Sequence, residues 1–326
     1  MRIYSNPEID DLHLDGSVVT IGNFDGVHRG HAEIFRRLNQ RAHVLGLPSV
    51  VITFEPHPLK LLAPEKAPLL ITRLEQKARL IADCGVDCLV VIDFTHEFSM
   101  VEAGAFVRNQ LCKKFGMRHI IIGHDYAFGR GRQGNYATLA GLGGKMGFGI
   151  EAIAPVGEGD TTFSSTMVRR MVLAGDVISV PSILGRYHVT AGRVVHGREI
   201  GRMLGFPTAN ISTLNELVPC DGVYAVMVAV GEEFFRGACS VGTSPSMGSS
   251  QRTIEVFLLD FSAELYDREL ALCFVKRLRD IHRYPDPASL VEAIGRDVEE
   301  VRLILDQVEP RLLKPLFTCR RSGALQ

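Results

Sequence analysis

The chain has 326 residues, too many for one average domain and comfortable for two. A formal net charge of −1 gives no general attraction to nucleic acid or an anionic membrane. No apolar run approaches bilayer-spanning length, and the polar, acidic N-terminal segment is unlike a signal peptide. Seven cysteines without a CxxC pair are typical of reduced cytoplasmic thiols. We therefore expect a cytoplasmic protein that binds small molecules, with oligomeric state left open.

In the first half of the chain, short β-branched runs alternate with helical patterns. Five buried strands are predicted, at residues 17–22, 49–54, 88–94, 119–123 and 149–156. Five helices are predicted, at residues 31–45, 73–84, 101–115, 136–146 and 165–174. This alternation predicts an α/β fold with a doubly wound parallel sheet, in a domain covering residues 1–183.

Beyond residues 180–188, alternating apolar runs follow one another without intervening helices, and Gly231 lies in a hairpin-like reversal. An antiparallel region this small must close on itself, so we expect a β-barrel domain over residues 184–310. Residues 289–305 carry a single apolar stripe and are predicted to form a C-terminal helix that covers the barrel. Residues 311–326 are expected to be a tail.

The segment GNFDGVHRGH, residues 22–31, joins the first predicted strand to the first predicted helix. Its glycines permit a tight turn, and a helix N-terminus offers N–H groups to an anion. His28 and His31 add donors where charge builds on phosphate oxygens. The plain alternative is a glycine turn with two surface histidines. A zinc site is weaker because no third ligand has a recognisable spacing, and the absence of GxxxxGK[ST] excludes a P-loop.

Three further motifs follow predicted strands at the same edge of the sheet: TFEPHP at 53–58, GHDYAFG at 123–129 and SSTMVRR at 164–170. Ser165 and Thr166 can cap a helix or bind a phosphate, and Arg169 can reach a phosphate from the first helical turn. Taken alone, the last motif is most often only a helix cap. Convergence of all four motifs on one edge favours a nucleotide site.

Together these motifs resemble the adenylyltransferase module of bacterial bifunctional riboflavin kinase/FAD synthetases. The resemblance implies that His28 and His31 stabilise the ATP phosphates during attack by the FMN phosphate, while Ser165, Thr166 and Arg169 hold the triphosphate. It implies further nucleotide contacts from Gly22, Phe24, Asp25, Gly26 and Asp125. It implies flavin contacts from Phe54, Pro56, His57, Pro58 and Phe128.

A second candidate site lies in VVHGREIGRMLGFPTANI, residues 194–211. Its glycines indicate a loop close to a ligand. Thr208 and Asn210, two residues apart in an extended segment, present oxygen atoms to one side, which suits Mg²⁺. Glu255 interrupts the apolar strand TIEVFLLDF, where a carboxylate is exposed, paired or used as a general base. A glycine-rich loop and a solvent-facing glutamate remain the plain alternatives.

HGREIGRMLGFPTAN, DGVYAV and EVFLLDF resemble the riboflavin kinase module of the same family, so the resemblance covers about residues 15–305. It implies that Thr208 and Asn210 hold Mg²⁺ and that Glu255 accepts a proton from riboflavin. Nucleotide contacts are implied for Gly197, Arg202 and Gly205. The substrates would be ATP, riboflavin and FMN.

The expected function is therefore phosphorylation of riboflavin to FMN in the second domain, and adenylyl transfer to FMN in the first, giving FAD and pyrophosphate. Three positions depart from the family: Met167 replaces a common arginine, His124 replaces an acidic residue, and TSPS at 243–246 replaces TRPT. The last leaves open a barrel that binds flavin without catalysis. Other HxGH nucleotidyltransferases are disfavoured because they lack such a barrel.

Overall fold

The computed structural model describes residues 1–6, 8–159, 161–197, 200–243 and 252–314. The chain divides into two compact units. The first comprises Met1–Pro68 and Lys77–Ser164, and the second comprises Leu69–Gln76 and Ser165–Gln326.

A six-stranded parallel sheet forms the centre of the first unit, with strand order β1-β4-β3-β2-β5-β6. Its strands are β1 Arg2–Ser5, β2 Ser17–Ile21, β3 Ser49–Glu55, β4 Cys88–Asp93, β5 Met117–Gly123 and β6 Gly149–Ile153. A short hairpin, β7 Gly157–Glu158 and β8 Thr161–Thr162, follows. The five predicted strands and the parallel sheet are confirmed. Strand β1 was not predicted, because it is a short, largely exposed edge strand with no apolar run.

Helices connect these strands. Up to residue 164 they are α1 Glu8–Asp11, α2 Arg29–Leu45, α3 Pro58–Leu62, α4 Leu74–Asp83, α5 His96–Ser99, α6 Ala103–Ala105 and α7 Tyr136–Met146. Helix α6 continues as a π-helix over Phe106–Lys114, where an α-helix was predicted. Helix α2 buries Phe35, Leu38 and Ala42 at helical spacing and ends at Gly46, whose φ of 64° suits a glycine cap.

The second unit contains a closed antiparallel barrel with strand order β10-β13-β12-β11-β14-β9. Its strands are β9 His188–Val195, β10 Thr208–Thr213, β11 Gly222–Val230, β12 Glu233–Thr243, β13 Arg252–Leu258 and β14 Glu269–Arg279. The barrel and the hairpin at Gly231 are confirmed. Alternate residues of the strands fill the interior of the barrel. On β13, Ile254, Val256 and Leu258 lie in the core while their strand neighbours face outward.

The helices of the second unit are α8 Ser165–Leu173, α9 Val180–Leu184, α10 Ile200–Met203 and α11 Pro287–Leu305. Asp286 caps α11, its Oδ1 accepting from the Ser289 N–H at 2.8 Å. Buried Val298, Val301 and Leu305 place the apolar stripe of α11 against β11 and β12. The predicted C-terminal helix is confirmed. No helix in the described part of the chain is both long and apolar enough to cross a bilayer.

Candidate active sites

The turn between β2 and α2 has an unusual backbone. Phe24, Gly26 and Val27 have φ values of 47°, 80° and 41°. Only glycine adopts this region at no steric cost, and for a β-branched valine it is an outlier. Phe24 and Val27 are buried, so packing holds the strained turn in place. Strain of this kind is typical of functional loops.

His28 is the N-cap of α2. Its Nδ1 accepts hydrogen bonds from the backbone N–H groups of Gly30, at 3.1 Å, and His31, at 3.3 Å. A neutral ring that accepts at Nδ1 carries its proton on Nε2. The cap therefore selects the tautomer in which Nε2 can donate to a ligand.

The rings of His28 and His31 stack with centroids 3.6 Å apart and planes 21° apart. The Phe24 ring makes edge-to-face contacts with the rings of His31 and Phe35, with centroids 5.2 Å and 4.9 Å apart. The structure thus brings together His28, His31 and Phe24 at the helix N-terminus. The expectation of open N–H groups there needs correction, because His28 occupies two of them.

The end of β3 has a second capping histidine. His57 caps α3, with Nδ1 accepting from the Leu59 N–H at 3.2 Å, and Pro58 occupies the first helical turn. The Nε2 of His57 lies 3.1 Å from Nδ2 of Asn23. This contact joins the segment predicted to contact flavin to the turn predicted to contact nucleotide, within the first unit. The Glu55–Pro56 bond is cis.

Gly22 and Asp25 lie in the same turn. A Cβ on Gly22 would come within 2.9 Å of the Phe24 ring, so the glycine makes room for that ring. Asp25 is buried at 5% exposure. Asp125, by contrast, is exposed, and its carboxylate lies 3.8 Å from Nδ1 of His124.

Phe54 and Phe128, both predicted flavin contacts, belong to one row of aromatic rings. The ring centroids are 6.0 Å apart for Phe54 and Phe98, 5.8 Å for Phe98 and Phe106, and 6.0 Å for Phe106 and Phe128. Phe128 is buried, whereas Phe54 is half-buried. The sequence analysis did not predict that Phe98 and Phe106 belong to this row. The feature that could have indicated it is the recurrence of phenylalanine in the segment after β4.

Ser165, Thr166 and Arg169 lie on α8, in the second unit. Thr166 is exposed, and the Arg169 Nε donates to the Leu69 carbonyl oxygen at 2.7 Å. Leu69 belongs to the same unit. The convergence of these three side chains with His28 stays a prediction.

On the barrel, register brings Thr208, Asn210 and Glu255 together. Asn210 pairs with Glu255 on the neighbouring strand, and Glu255 pairs with Ser240 on the strand beyond. Ala209 and Ile211 pack with the barrel core, so Thr208 and Asn210 face the other side. Directly paired residues have Cβ atoms about 4.5–5.5 Å apart. The outer face therefore presents a hydroxyl, an amide and a carboxylate as neighbours.

The segment before β10 lies close over this face. A Cβ on Gly197 would fall 2.1 Å from Nδ2 of Asn210, so any larger residue would have to displace the Asn210 side chain. Gly205, with φ of 86°, follows α10, and the Phe206 ring meets Phe257 edge-on at 5.5 Å. Arg202 lies in α10. Residues 198–199 and 244–246, which include most of TSPS, lie outside the described residues.

The oxygen donors of Thr208 and Asn210 suit a hard cation such as Mg²⁺, which takes few protein ligands and keeps water and phosphate oxygens. Within the described ranges, no group of three or more His, Cys, Asp or Glu side chains is arranged to hold a metal. Thr208 and Asn210 are not among those residue types, and their fit to the predicted cation rests on their neutral oxygen donors alone.

Two polar residues lie beside predicted site residues and were not themselves predicted. Ser240 pairs with Glu255, and its signal was its alternation with buried Cys239 and Val241. Lys77 is buried beside Asn23 and Thr53, and nothing in its surrounding helical pattern distinguished it from a surface lysine.

Comparison with known proteins covers almost the whole chain. The FAD synthetase family model matches residues 10–167, and the riboflavin kinase model matches residues 184–305. A bifunctional riboflavin kinase/FMN adenylyltransferase of Escherichia coli strain K12 is 37% identical over 297 residues, covering 91% of this chain and 95% of that protein. The protein of the same name from Pseudomonas fluorescens is 39% identical over 290 residues, covering 89% and 93%.

A solved structure also shares the fold. A crystal structure described as a macrolide-efflux protein from Streptococcus pneumoniae superposes with a TM-score of 0.84 at 29% identity. It covers 93% of this chain and 99% of its own. The efflux activity in that description refers to the Streptococcus pneumoniae protein alone.

Proposed function

The chain belongs to the family of bifunctional riboflavin kinase/FMN adenylyltransferases, and from this premise we propose how its residues divide the two reactions. The enzyme phosphorylates riboflavin to FMN in its C-terminal part and adenylylates FMN to FAD in its N-terminal part. A barrel that binds flavin without catalysis is not favoured, because both relatives are named for both activities.

For adenylyl transfer, a phosphate oxygen of FMN attacks the α-phosphorus of ATP, and the bond from that phosphorus to the bridging oxygen of pyrophosphate breaks. Negative charge then grows on the non-bridging oxygens, where fixed donors lower the barrier. We assign this role to Nε2 of His28, whose tautomer the helix cap selects, together with the stacked His31.

The remaining predicted residues surround this centre in the proposal. Nucleotide contacts come from Gly22, Phe24, Asp25, Gly26 and Asp125, with Ser165, Thr166 and Arg169 on the triphosphate. The flavin lies against Phe54, Pro56, His57, Pro58 and Phe128. The contact between Asn23 and His57 supports this division, because it joins the two sides of the site.

For riboflavin phosphorylation, we propose that Glu255 accepts the proton of the ribityl hydroxyl as that oxygen attacks the γ-phosphorus of ATP, with ADP leaving. Thr208 and Asn210 would hold Mg²⁺, which neutralises phosphate charge when bound. Gly197, Arg202 and Gly205 would lie along the nucleotide. The pairing of Asn210 with Glu255 supports this arrangement, since it sets a base beside a cation ligand.

The observation that carries the proposal is the capped and stacked histidine pair at the start of α2. The test is incubation of the purified protein with ATP, Mg²⁺ and either riboflavin or FMN, followed by chromatography of the flavins. FAD from both mixtures is expected. FAD from FMN alone would overturn the kinase assignment of the barrel.

We further propose that the boundary between the two catalytic domains lies near residues 183–184, with residues 311–326 as a tail. Matches of the two family models to residues 10–167 and 184–305 support this boundary. A cytoplasmic location is proposed from the use of ATP and from the cysteine pattern.

A further inference from the structure

Lys77 is a buried ammonium that no motif of the adenylyl-transfer site includes. Its side chain is 6% exposed on α4. Its Nζ donates to the carbonyl oxygen of Asn23 at 3.2 Å and to Thr53 Oγ1 at 3.0 Å. Lysine is almost never this buried without partners, because desolvating its charge is costly. The first unit therefore retains a buried ammonium whose desolvation is energetically unfavourable.

The two acceptors of Lys77 belong to two segments of the candidate site, the turn after β2 and the end of β3. Asn23 opens the strained turn that leads to His28, and Thr53 lies near the end of β3, beside Phe54. The Thr53 hydroxyl also donates to the Asn23 carbonyl oxygen at 3.2 Å. With the contact between Asn23 and His57, a continuous series of contacts runs from Lys77 through the turn after β2 to the segment after β3.

The charges around Lys77 are consistent with a structural ammonium. Burial lowers the pKa of Lys77, while the carboxylates of Glu55 and Asp25 act in the opposite direction and favour the charged form. Asp25 lies in the turn after β2 and Glu55 at the end of β3, the two segments that Lys77 joins. The ammonium thus holds its neighbours by directed hydrogen bonds and by charge.

We propose that Lys77 is a positioning residue for adenylyl transfer, which holds the turn of residues 22–28 against the end of β3 and thereby sets His28 relative to the flavin side. The inference rests on the proposed placement of that site at His28. A contact of this kind acts on the reacting geometry, where displacements of about 1 Å can cost roughly 10²-fold in rate.

The first test is Lys77→Met, which keeps an unbranched side chain one atom shorter and removes the ammonium. We expect kcat for FMN adenylylation to fall about tenfold or more, with KM for ATP within about twofold. Riboflavin phosphorylation by the same molecules is the internal control and is expected at the wild-type rate. A kcat within about twofold of wild type would overturn the proposal.

A matched pair of threonine variants keeps the test decisive if Lys77→Met does not fold. Thr53→Val removes a partner of Lys77 and keeps the side-chain shape. Thr20→Val is the control, since Thr20 is equally buried on the neighbouring strand and its hydroxyl has no hydrogen-bond partner among the described residues. Only Thr53→Val is expected to lower kcat for adenylylation. Equal activity of the two variants would contradict the proposal.

His28→Asn separates failure of this inference from failure of the proposed site. If His28→Asn keeps full FAD synthesis, the site itself is misplaced. If His28→Asn is inactive while Lys77→Met and Thr53→Val are fully active, the site stands and the role of Lys77 is wrong.

Discussion

The two units place the residues proposed to react by different means. In the first, His28 and His57 each cap a helix that starts just beyond a parallel strand, so turn geometry sets their positions. In the second, Asn210 and Glu255 stand on adjacent strands, and the pleat and register of the barrel place them side by side. A site built on turns needs buried polar contacts to hold it, whereas a site built on strands needs clearance above its face.

The largest effect is expected for Glu255→Gln, which keeps the size of the side chain and removes the base. General-base catalysis contributes about 10²–10⁴-fold, so riboflavin phosphorylation should fall within that range. Adenylylation of FMN should be unchanged. The matched control is Glu233→Gln, at the exposed start of β12. Steady-state rates with each flavin measure both reactions, and full kinase activity in Glu255→Gln would remove Glu255 as the base.

The next effect is expected for His28→Asn. Asparagine is a good N-cap, so α2 should keep its stability, while the Nε2 donor is lost. FAD formation from FMN should fall about 10²–10³-fold, as for loss of one transition-state donor. His28→Ala should lose the same activity and also about 0.5–2 kcal/mol of stability. His43→Asn, at the exposed far end of the helix, is the control. Equal thermal stability of the Asn and Ala variants would argue against the cap.

A smaller effect is expected for Gly197→Ala, because the added Cβ must displace the Asn210 amide. We expect the Mg²⁺ concentration for half-maximal kinase activity to rise roughly tenfold, as a ligand moves out of place. Gly295→Ala is the control, since its Cβ meets open space on α11 and alanine favours the helix by about 1 kcal/mol. An unchanged Mg²⁺ titration would place the cation elsewhere.

The smallest effect concerns stability alone. Burial lowers the pKa of His188 to about 4, with a hydrogen bond from its ring to the Leu217 carbonyl acting in the other direction. The unfolded chain thus binds the proton first, and stability is complete above about pH 6.5 and falls toward pH 4, by up to about 1.4 kcal/mol per unit.

Chemical denaturation at pH 7.5 and pH 5 measures this loss. Burial also lowers the pKa of His119 in the first unit, so both units should weaken in acid. In His188→Gln, the loss of stability of the second unit between pH 7.5 and pH 5 should become smaller. The loss in the first unit should not change. If the second unit of that variant loses as much stability in acid as the wild type does, other groups cause the acid sensitivity.

Much of the fold could be predicted because its signals are local. Buried parallel strands such as β2 read as continuous apolar runs, and the strands of the barrel alternate with period two. The edge strand β1 could not be predicted, since its side chains are mostly exposed and its partner lies more than 80 residues away in sequence. The π-helix over Phe106–Lys114 has an apolar pattern that also fits an α-helix.

The candidate sites were predictable to the extent that their chemistry lies within motifs. His28 and His31 lie within one turn of each other, and Thr208 and Asn210 within one strand. The sequence could not predict that His28 Nδ1 caps its own helix, because the side-chain rotamer that allows this depends on the conformation of the preceding turn. Lys77 was missed because its two acceptors come from two other segments of the chain.

The cap at His28 also shapes which substitutions this position tolerates. Selection for a folded first unit accepts serine, threonine, aspartate or asparagine there, since each can cap a helix. Selection for FAD synthesis should accept histidine alone. A library randomised at this codon and sorted once by abundance and once by flavin product would give two different residue sets. The difference between those sets would measure, at one position, how far folding and catalysis constrain evolution separately.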